Sequence, residues 1–342
     1  MRFGIMTGGG DAPGLNSIIE SVGRVLLSAG HELVGICDGF EGIFDDRHID
    51  LKATDLAGLH TRSGTLLGTS NKSRIEGREK EFQGHYERLR LNGLVVAGGD
   101  GTFSALSRIG KGIPLVALPK TIDNDLQATD ITFGFDTACS VVSEAVDALR
   151  ASADGHRRVM IVETMGRTAG WISLGGGLAS YADAIFIPER PVNPELFVAF
   201  LREKQRQNRR GLVLVVSESA TFIGGSPQTA LLVEGSPEPT RFGGVSEKLA
   251  RFIEAQTGWE SRHVILGHLQ RSKAPTTTDR FLTAAMGVEA ARRAIMGDWN
   301  KAVVYVDGRI TVVPITDVQG PPRVVPANHR WVELAKALGI FI

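Results

Sequence analysis

The strongest constraint on the fold is a regular alternation of short apolar runs with longer amphipathic stretches. The short runs predict buried β-strands, and the stretches with apolar residues at helical spacing predict α-helices. Strands that alternate with helices predict a parallel sheet with helices on both faces. The predicted strands are Phe3–Met6, Leu33–Ile36, Leu94–Ala97, Leu115–Leu118, Val159–Val162, Ala184–Ile187, Leu212–Val216, Val264–Leu266 and Val303–Val306. The predicted helices are Leu15–Ser28, Arg78–Arg90, Thr102–Ile109, Thr137–Ala153, Trp171–Tyr181, Pro194–Gln207, Val245–Thr257 and Thr277–Met296.

Length and composition narrow the class of protein further. The chain has 342 residues, which exceeds one compact core and predicts two domains. No low-complexity linker separates them, and the segment Gly224–Thr240, rich in Gly, Ser and Pro, predicts a long loop. Lys+Arg and Asp+Glu are both 38, so there is no basic excess of the kind that binds nucleic acid.

The cysteines and the hydropathy pattern predict the compartment. Cys37 and Cys139 are far apart and show neither zinc-site nor disulfide-framework spacing. This usage is typical of a reducing compartment, so we expect the cytoplasm. The sequence has no run of about 18 apolar residues and no signal peptide before the first strand. We therefore expect no contact with a membrane.

The first motif with chemical content is GGGDAPG at residues 8–14, directly after the first predicted strand. Successive backbone N–H groups at a turn before a helix favour the oxygens of a phosphate group. A tight strand-to-helix turn that needs small residues is the structural alternative.

A second Gly-rich turn, GGDGT at residues 98–102, also follows a predicted strand and opens a helix. Its carboxylate, Asp100, can hold Mg²⁺ directly or through water, while the glycine backbone lets phosphates come close. The structural alternative is an aspartate that caps the helix.

The third motif, PKTIDND at residues 119–125, places two carboxylates beside a lysine and a threonine at a strand end. Transfer of a phosphoryl group to an alcohol needs a carboxylate that accepts the hydroxyl proton. An acidic surface turn is the alternative, but it explains neither the lysine nor the recurrence of acids at strand ends.

Two further strand ends carry basic groups. Met165-Gly166-Arg167 follows one strand, and LGHLQR at residues 266–271 follows another. The guanidinium fork of arginine suits a phosphate, which makes Arg167 and Arg271 candidate ligands. A surface ion pair at Arg167 and a structural role for His268 are the alternatives.

In this order and spacing, the five motifs resemble those of the 6-phosphofructokinases, from Phe3 to about Val306. GGDGT also occurs in NAD kinases and diacylglycerol kinases, whereas PKTIDND together with LGHLQR is specific. The resemblance implies two doubly wound, mostly parallel-sheet α/β domains with the active site in the cleft between them. It implies transfer of the γ-phosphoryl of ATP to the 1-hydroxyl of fructose 6-phosphate with Mg²⁺. It divides the chain into a donor-binding domain, 1–136 with 270–320, and a sugar phosphate-binding domain, 137–269 with 321–342.

The resemblance also implies residue roles, with Asp123 as general base for the sugar hydroxyl. Residues implied in catalysis are Gly10, Thr121, Asp123 and Arg167. Residues implied in sugar phosphate binding are Thr121, Asp123, Arg158, Met165, Gly166, Arg167, Glu218, Arg262, His268 and Arg271. Residues implied in nucleotide binding are Gly10, Lys72, Arg74, Gly99, Asp100, Gly101, Thr102 and Lys120, and those implied in Mg²⁺ binding are Asp100 and Asp125. Arg158 and Arg262 match arginines that the family supplies from a neighbouring subunit, which implies a homo-oligomer, a dimer or a tetramer.

Four positions depart from the family pattern. Asn71 stands where many members carry a phosphate-binding arginine, for which Lys72 or Arg74 would substitute, and Ala105 stands where a glycine is frequent near the adenine. Ser272-Lys273 replaces a frequent Gly-Gly pair. Glu20 stands where allosteric bacterial members carry an effector-binding arginine. Its charge would repel a phosphate effector, although Arg24, Arg150, Asp183 and Arg209 keep part of that site's character.

Three other functions are alternatives to phosphoryl transfer from ATP. Lys120 favours pyrophosphate as the phosphoryl donor, because a lysine here is usual in the pyrophosphate-dependent relatives. Gly101 favours ATP, because those relatives typically have an aspartate at this position, whereas glycine leaves room for the α-phosphate of ATP. A nicotinamide-dependent oxidoreductase lacks its G-x-G-x-x-G motif here. A non-catalytic subunit with the same fold would have lost a carboxylate, whereas Asp100, Asp123 and Asp125 are all present.

Overall fold

The structure is a computed structural model that describes residues 1–71, 75–232 and 240–342. The strands are β1 Arg2–Thr7, β2 Glu32–Ile36, β3 His48–Leu51, β4 Gly93–Gly98, β5 Leu115–Pro119, β6 Val159–Thr164, β7 Ala184–Phe186, β8 Leu212–Ser217, β9 Thr229–Leu232, β10 Thr240–Phe242, β11 Ser261–Ile265, β12 Lys301–Val306 and β13 Arg309–Pro314. The helices are α1 Leu15–Ser28, α2 Phe40–Phe44, α3 Ala53–Leu56, α4 Glu79–Arg88, α5 Asp100–Ile109, α6 Phe135–His156, α7 Trp171–Ala179, α8 Pro194–Arg206, α9 Val245–Thr257, α10 Leu269–Ser272, α11 Thr277–Met296 and α12 Arg330–Ala337.

The larger sheet has the strand order β13-β12-β5-β4-β1-β2-β3. Its inner pairs are parallel, and its two edge pairs, β2 with β3 and β12 with β13, are antiparallel. Alternate residues of each inner strand enter two cores, so that Ile5 packs on the side of α1 and α11 while Met6 packs on the side of α4 and α5. Burial on both faces explains why these strands read as continuous apolar runs.

The smaller sheet has the order β11-β6-β8-β7, and all its strand pairs are parallel. On one face Val162 and Val215 pack with α6 and α7, and on the other Ile161 and Leu214 pack with α8 and α9. The predicted arrangement of two mostly parallel α/β domains is therefore confirmed.

Several elements differ from those predicted. The segment Gly224–Thr240 is not wholly a loop, because β9 and the start of β10 pair there as an antiparallel ribbon. Strands β3 and β13 were not predicted: each is an antiparallel edge strand with exposed polar residues, so neither shows the apolar run of an inner strand. The short helices α2, α3, α10 and α12 lack the length at which periodicity becomes a clear signal.

A buried carboxylate joins the two domains. Asp279, in the first turn of α11, accepts hydrogen bonds from the backbone N–H groups of Gly134 and Thr137, both at 2.9 Å, and from the Thr137 hydroxyl at 2.5 Å. These donors lie at the N-terminus of α6, where helix N–H groups have no partner in the helix itself. Burial, although opposed by these bonds, raises the pKa of Asp279 to about 6.

Candidate active site

The two Gly-rich turns lie side by side because β1 and β4 are parallel neighbours. The Gly8 N–H donates to the Ala97 carbonyl at 2.9 Å. Beneath both turns lies the buried side chain of Thr102, and a Cβ added at Gly8 or Gly98 would approach its Oγ1 to 2.7 or 2.4 Å. Glycine is therefore required at both positions, and Thr102 packs against both turns.

Lys120, at the end of β5, reaches the first turn. Its buried ammonium group donates to the carbonyl of Gly10. Burial, together with the charge of Arg271, lowers the pKa of Lys120 to about 8, against the opposing effect of nearby carboxylates that include Asp123. Since a Cβ at Gly9 would lie 3.4 Å from its Nζ, the lysine charge lies at the turn where a phosphate is expected.

The loop after Lys120 holds two buried acids, Asp123 and Asp125. The Asp123 N–H donates to Thr121 Oγ1 at 3.0 Å. Asn124, between them, has a φ of 54°, and its Oδ1 accepts from the Thr132 N–H at 2.9 Å. Within the described residues, the buried Oδ1 of Asp123 has no hydrogen-bond partner. A buried carboxylate oxygen of this kind is suited to accept a hydrogen bond from a ligand hydroxyl.

Several acids lie within electrostatic reach of one another. Burial and the charge of Asp123 raise the pKa of Asp125 to about 7, Asp100 adds to this effect, and Arg167 opposes it. Across residues 1–71, 75–232 and 240–342, no group of three or more His, Cys, Asp or Glu side chains is arranged to hold a metal. Mg²⁺ commonly takes only one or two protein carboxylates and completes its shell with water and substrate phosphates. The oxygen donors Asp100 and Asp125 fit such a site.

The second sheet contributes the opposite side of the cleft. Glu218, just after β8, accepts the Arg167 N–H at 2.9 Å, so the Met165-Gly166-Arg167 turn is fixed against the end of β8. Burial raises the pKa of Glu218 to about 7, despite the backbone hydrogen bonds, and the charge of Asp123 adds to the shift. The charge of Asp123 thus acts on Glu218, so these strand ends of the two sheets lie close to each other.

LGHLQR sends its two basic residues in different directions. His268 is exposed and immediately precedes α10. Arg271 reaches the first Gly-rich turn, where its Nη1 donates to the Asp11 carbonyl at 3.0 Å and lies 3.7 Å from Asp11 Oδ1. Arg271 thus joins the segment after β11 to the first Gly-rich turn rather than projecting freely toward a sugar.

Arg158 and Arg262 lie at the other end of the second sheet. Arg158 precedes β6, Arg262 is near the start of β11, and both contact Glu260, at 3.5 and 2.6 Å. The six residue-to-residue steps from Arg158 to Thr164 span about 20 Å of strand. Within one chain these two arginines are therefore not brought together with the cleft.

The positions that depart from the family pattern lie in different parts of the structure. Lys72 and Arg74 lie outside the described residues, while Asn71 Oδ1 lies 3.8 Å from a Cβ built on Gly9. Ala105 packs in the core on the α5 side of the larger sheet. Lys273 contacts Glu144 and donates to Ser140 Oγ at 3.0 Å, which ties this substituted loop to α6.

Glu20 is buried and fully engaged. Its Oε1 lies 2.6 Å from Arg24 Nη2, and its Oε2 accepts the His60 N–H at 2.7 Å. Burial disfavours ionisation, but the bonds from His60 and Arg24 outweigh it and lower the pKa of Glu20. Arg150 and Arg209 in turn both contact Asp183, at 3.2 and 3.5 Å. Arg24, Arg150 and Arg209 therefore each have an acidic partner within the chain.

Two further residues, the half-buried Arg323 and the buried Glu163, were not predicted from the sequence. Arg323 donates to the backbone of the Asp123 loop, and nothing in its Pro-Pro-Arg context signals this. Glu163, inside β6, accepts the N–H groups of Gly244 and Ser246, both at 2.9 Å, at the start of α9. The sequence signal for Glu163 was an acidic residue within an apolar strand, which predicts a buried carboxylate with hydrogen-bond partners.

Two Gly-rich turns, a buried lysine and a buried carboxylate at the ends of parallel strands are the groups that a phosphotransferase of the α/β class needs. The chain matches the family model described as Phosphofructokinase over residues 2–294. It therefore belongs to the phosphofructokinase family.

Named relatives cover almost the whole chain. ATP-dependent 6-phosphofructokinase 3 of Streptomyces coelicolor is 37% identical over 340 residues, 97% of this chain and 98% of the relative. ATP-dependent 6-phosphofructokinase of Chloroflexus aggregans is 38% identical over 351 residues, 99% of this chain and 97% of the relative. The crystal structure of a pyrophosphate-dependent phosphofructokinase from Marinobacter aquaeolei matches with a TM-score of 0.83 and 19% identity, over 100% of this chain and 92% of that one. This last likeness is one of fold alone.

Proposed function

We propose that this enzyme is an ATP-dependent 6-phosphofructokinase, which transfers the γ-phosphoryl of ATP to the 1-hydroxyl of fructose 6-phosphate and yields fructose 1,6-bisphosphate and ADP. The observation that carries the proposal is the buried Asp123 Oδ1, which has no partner among the described residues and lies within electrostatic reach of Glu218. In this role Asp123 accepts the proton of the sugar hydroxyl as the oxygen attacks phosphorus. Thr121, bonded to the Asp123 N–H, orients the base and contacts the transferred group.

The donor side is built from the two Gly-rich turns. Backbone N–H groups around Gly10 and Gly99 bind the donor phosphates, and Lys120 adds a positive charge beside them. Asp100 and Asp125 would hold Mg²⁺, which, when bound, neutralises charge on the phosphates. Thr102 supports both turns from beneath, so its contribution to donor binding is indirect.

The preference for ATP over pyrophosphate rests on Gly101. A Cβ built there meets no atom within 4 Å, so the position is open and carries no charge. The space is available to an α-phosphate, which ATP has and pyrophosphate lacks. The named relatives at 37% and 38% identity, both ATP-dependent, support the same donor. Pyrophosphate remains the second candidate because Lys120 can hold a small anionic donor as a point charge.

The acceptor side is built from the second sheet. Glu218, Met165 and Gly166 contact the sugar, and Arg167 stabilises the transferred phosphoryl group. His268 and Arg271 bind the 6-phosphate, which requires Arg271 to exchange its contacts with Asp11 for the substrate. We assign residues 1–136 with 270–320 to donor binding, and residues 137–269 with 321–342 to sugar phosphate binding.

Arg158 and Arg262 complete the acceptor side from a second copy of the chain. Their position at the far end of β6 and β11 keeps them out of their own cleft but exposes Arg262 to a neighbour. The active enzyme in this proposal is a homo-oligomer, at least a dimer. Within the described ranges, no helix has the length and apolar content needed to cross a bilayer. The free thiols Cys37 and Cys139 support a reducing compartment, the cytoplasm.

The proposal is tested by ³¹P NMR of the wild-type enzyme with fructose 6-phosphate, Mg²⁺ and either ATP or pyrophosphate. We expect ATP to be consumed, with a new phosphate monoester at C1 of the sugar and a higher kcat/KM than for pyrophosphate. An equal or higher kcat/KM with pyrophosphate would favour the second candidate, and no C1 ester with either donor would refute both.

A further inference from the structure

Residues 319–329, which we call the C-terminal strap, run between the two domains. The strap follows the 3₁₀ turn Ile315–Val318 beside the larger sheet and leads to α12. Helix α12 packs on the α7 side of the smaller sheet, and the chain end returns to β7, where the Ile185 N–H donates to the Phe341 carbonyl at 2.8 Å. The strap is therefore in a position to connect the two sides of the cleft.

One side of the strap is hydrogen bonded to the loop that carries Asp123. The Arg323 N–H donates to the Asp125 carbonyl at 2.7 Å. The Arg323 Nη2 donates to the carbonyls of Asn124 and Asp130, at 2.7 and 3.0 Å. The Gln127 side chain donates to the strap at the Pro321 carbonyl, at 2.7 Å. These contacts hold the loop at both of its ends.

The other side of the strap is fixed to α7. The Arg323 guanidinium lies over the Trp171 ring, 4.5 Å from its centroid, and the Trp171 indole N–H donates to the Arg323 carbonyl at 2.7 Å. The Glu189 Oε1 accepts the N–H groups of both Gly170 and Val325, each at 2.9 Å. Trp171 begins the helix four residues after Arg167, so the strap joins the base-bearing loop to the segment that presents Arg167.

Of these contacts, the hydrogen bond from Arg323 to the Asn124 carbonyl has the largest expected effect on the loop. This carbonyl belongs to the peptide between Asn124 and Asp125, and Asn124 has a φ of 54°, in the left-handed region that non-glycine residues rarely adopt. A buried carbonyl needs a donor. The orientation of this peptide affects Asp125 directly, and it affects Asp123 through Asn124, the residue between the two acids. The planar fork of arginine serves two carbonyls at once while its face stacks on an aromatic ring, which a lysine ammonium cannot do.

We propose that Arg323 is a positioning residue, which holds the Asp123 loop in its working geometry and couples it to the Arg167 segment through Trp171. Its consequence for turnover rests on the proposed function, whereas its consequence for the loop does not. Because Arg323 acts on the backbone of the loop rather than on a substrate, its loss affects kcat more than KM. A misplacement of about 1 Å of a reacting group can cost about 100-fold in rate.

The test compares Arg323→Met with Arg323→Lys, Arg330→Met and Trp299→Leu. Arg330 is an exposed arginine of α12. Trp299 is half-buried and packs on Phe3 at the amino-terminal end of the larger sheet, opposite the end that carries the Asp123 loop. For each variant we would measure kcat, both KM values, Tm, and amide hydrogen exchange in peptides covering residues 121–133. The exchange measurement needs no substrate, so it decides the structural part of the proposal even if the wild-type enzyme fails to phosphorylate fructose 6-phosphate.

Arg323→Met is expected to lower kcat about 100-fold, with both KM values within about threefold of wild type, and to speed exchange in residues 121–133. Arg323→Lys should recover part of kcat, and Arg330→Met should behave as wild type. Trp299→Leu should lower Tm but leave kcat and the exchange of residues 121–133 nearly unchanged. The proposal is overturned if Arg323→Met keeps kcat and loop exchange near wild type, or if Trp299→Leu loses kcat in the same proportion. If Arg323→Met does not fold, a wild-type kcat and loop exchange in Arg323→Lys would overturn it equally.

Discussion

The carboxyl ends of the two sheets form the two sides of one cleft, and they differ in how much of each side a single chain supplies. On the proposed donor side, Gly8 of the first Gly-rich turn is bonded to Ala97 at the end of β4, and Lys120 is bonded to Gly10. On the proposed acceptor side, Arg271 is engaged with Asp11. Arg158 and Arg262 lie near the amino-terminal ends of β6 and β11, away from the cleft. The donor side is thus fixed by contacts within a few residues of each strand end. In the proposed function, the acceptor side depends on Arg158 and Arg262 from a second copy of the chain.

The largest effect is expected where the two sides meet, at Asp123. Asp123→Asn keeps the size of the side chain but removes its basicity, so it should lower kcat by about 10²–10⁴-fold while the KM for fructose 6-phosphate changes little. Steady-state kinetics would measure this, with the exposed Asp147→Asn as control. Wild-type turnover in a correctly folded Asp123→Asn enzyme would remove Asp123 from the role of base.

The next largest effect isolates the donor side at Gly101. Gly101→Asp brings a carboxylate to the expected α-phosphate, and like charges about 4 Å apart repel by about 4 kcal/mol at an effective dielectric constant of 20. The kcat/KM for ATP should fall about 10²–10³-fold, while use of pyrophosphate should fall much less. Gly101→Ala and Gly101→Asn are the size controls, since a Cβ there meets no atom within 4 Å. Equal losses in the Asp and Asn variants would mean that bulk, not charge, excludes ATP.

A smaller effect isolates the acceptor side at Arg262. Arg262→Ala removes one charge-assisted contact to the sugar phosphate, worth about 1.5–3 kcal/mol, so the KM for fructose 6-phosphate should rise about 10- to 100-fold. If Arg262 acts across a subunit interface, mixing Arg262→Ala with Asp123→Asn after dissociation should regenerate active sites. Hybrids that form, as shown by native mass spectrometry, but are no more active than either parent would exclude a shared site.

The smallest effect concerns the charge of Glu218. Its pKa in the folded chain, about 7, lies above its ordinary value of 4.5, so the folded state binds the proton more tightly than the unfolded state. This contribution to stability is present below pH 4.5 and is lost as the pH rises from 4.5 to 7. Glu218→Gln should flatten that part of the stability profile, with a gain in Tm of about 2–4 °C relative to wild type at pH 8. Parallel Tm profiles for the two proteins between pH 5 and 8 would contradict the assigned shift.

A contrast between local and distant contacts also explains how much of the fold could be predicted from the sequence. Inner strands such as β4 and β8, buried on both faces, were found because their apolar runs are continuous, and α1, α9 and α11 were predicted with the observed bounds. The edge strands β3 and β13 have exposed residues and no such run. The ribbon of β9 and β10 depends on pairing between two short segments rather than on the composition of either.

For the site, the motifs predicted which residues lie at strand ends. The donor side could be predicted because its residues all lie within a few positions of a strand end. The direction of Arg271 and the position of Arg323 follow from contacts 260 and 199 residues apart in sequence. No local pattern encodes such pairs. The distance of Arg158 and Arg262 from the cleft likewise becomes visible only once β6 and β11 are placed in the sheet.

The central claim is that Asp123 of one domain and Glu218 of the other act on the same sugar. A double-mutant cycle with Asp123→Asn, Glu218→Gln and the combined variant, measured as kcat/KM for fructose 6-phosphate, tests it directly. Residues that act as a unit in one site are strongly non-additive. We predict that the combined variant loses much less than the product of the two single losses, with a coupling energy of at least about 1 kcal/mol. Losses that multiply within a factor of two would show that the two carboxylates act independently, which would contradict the single shared cleft.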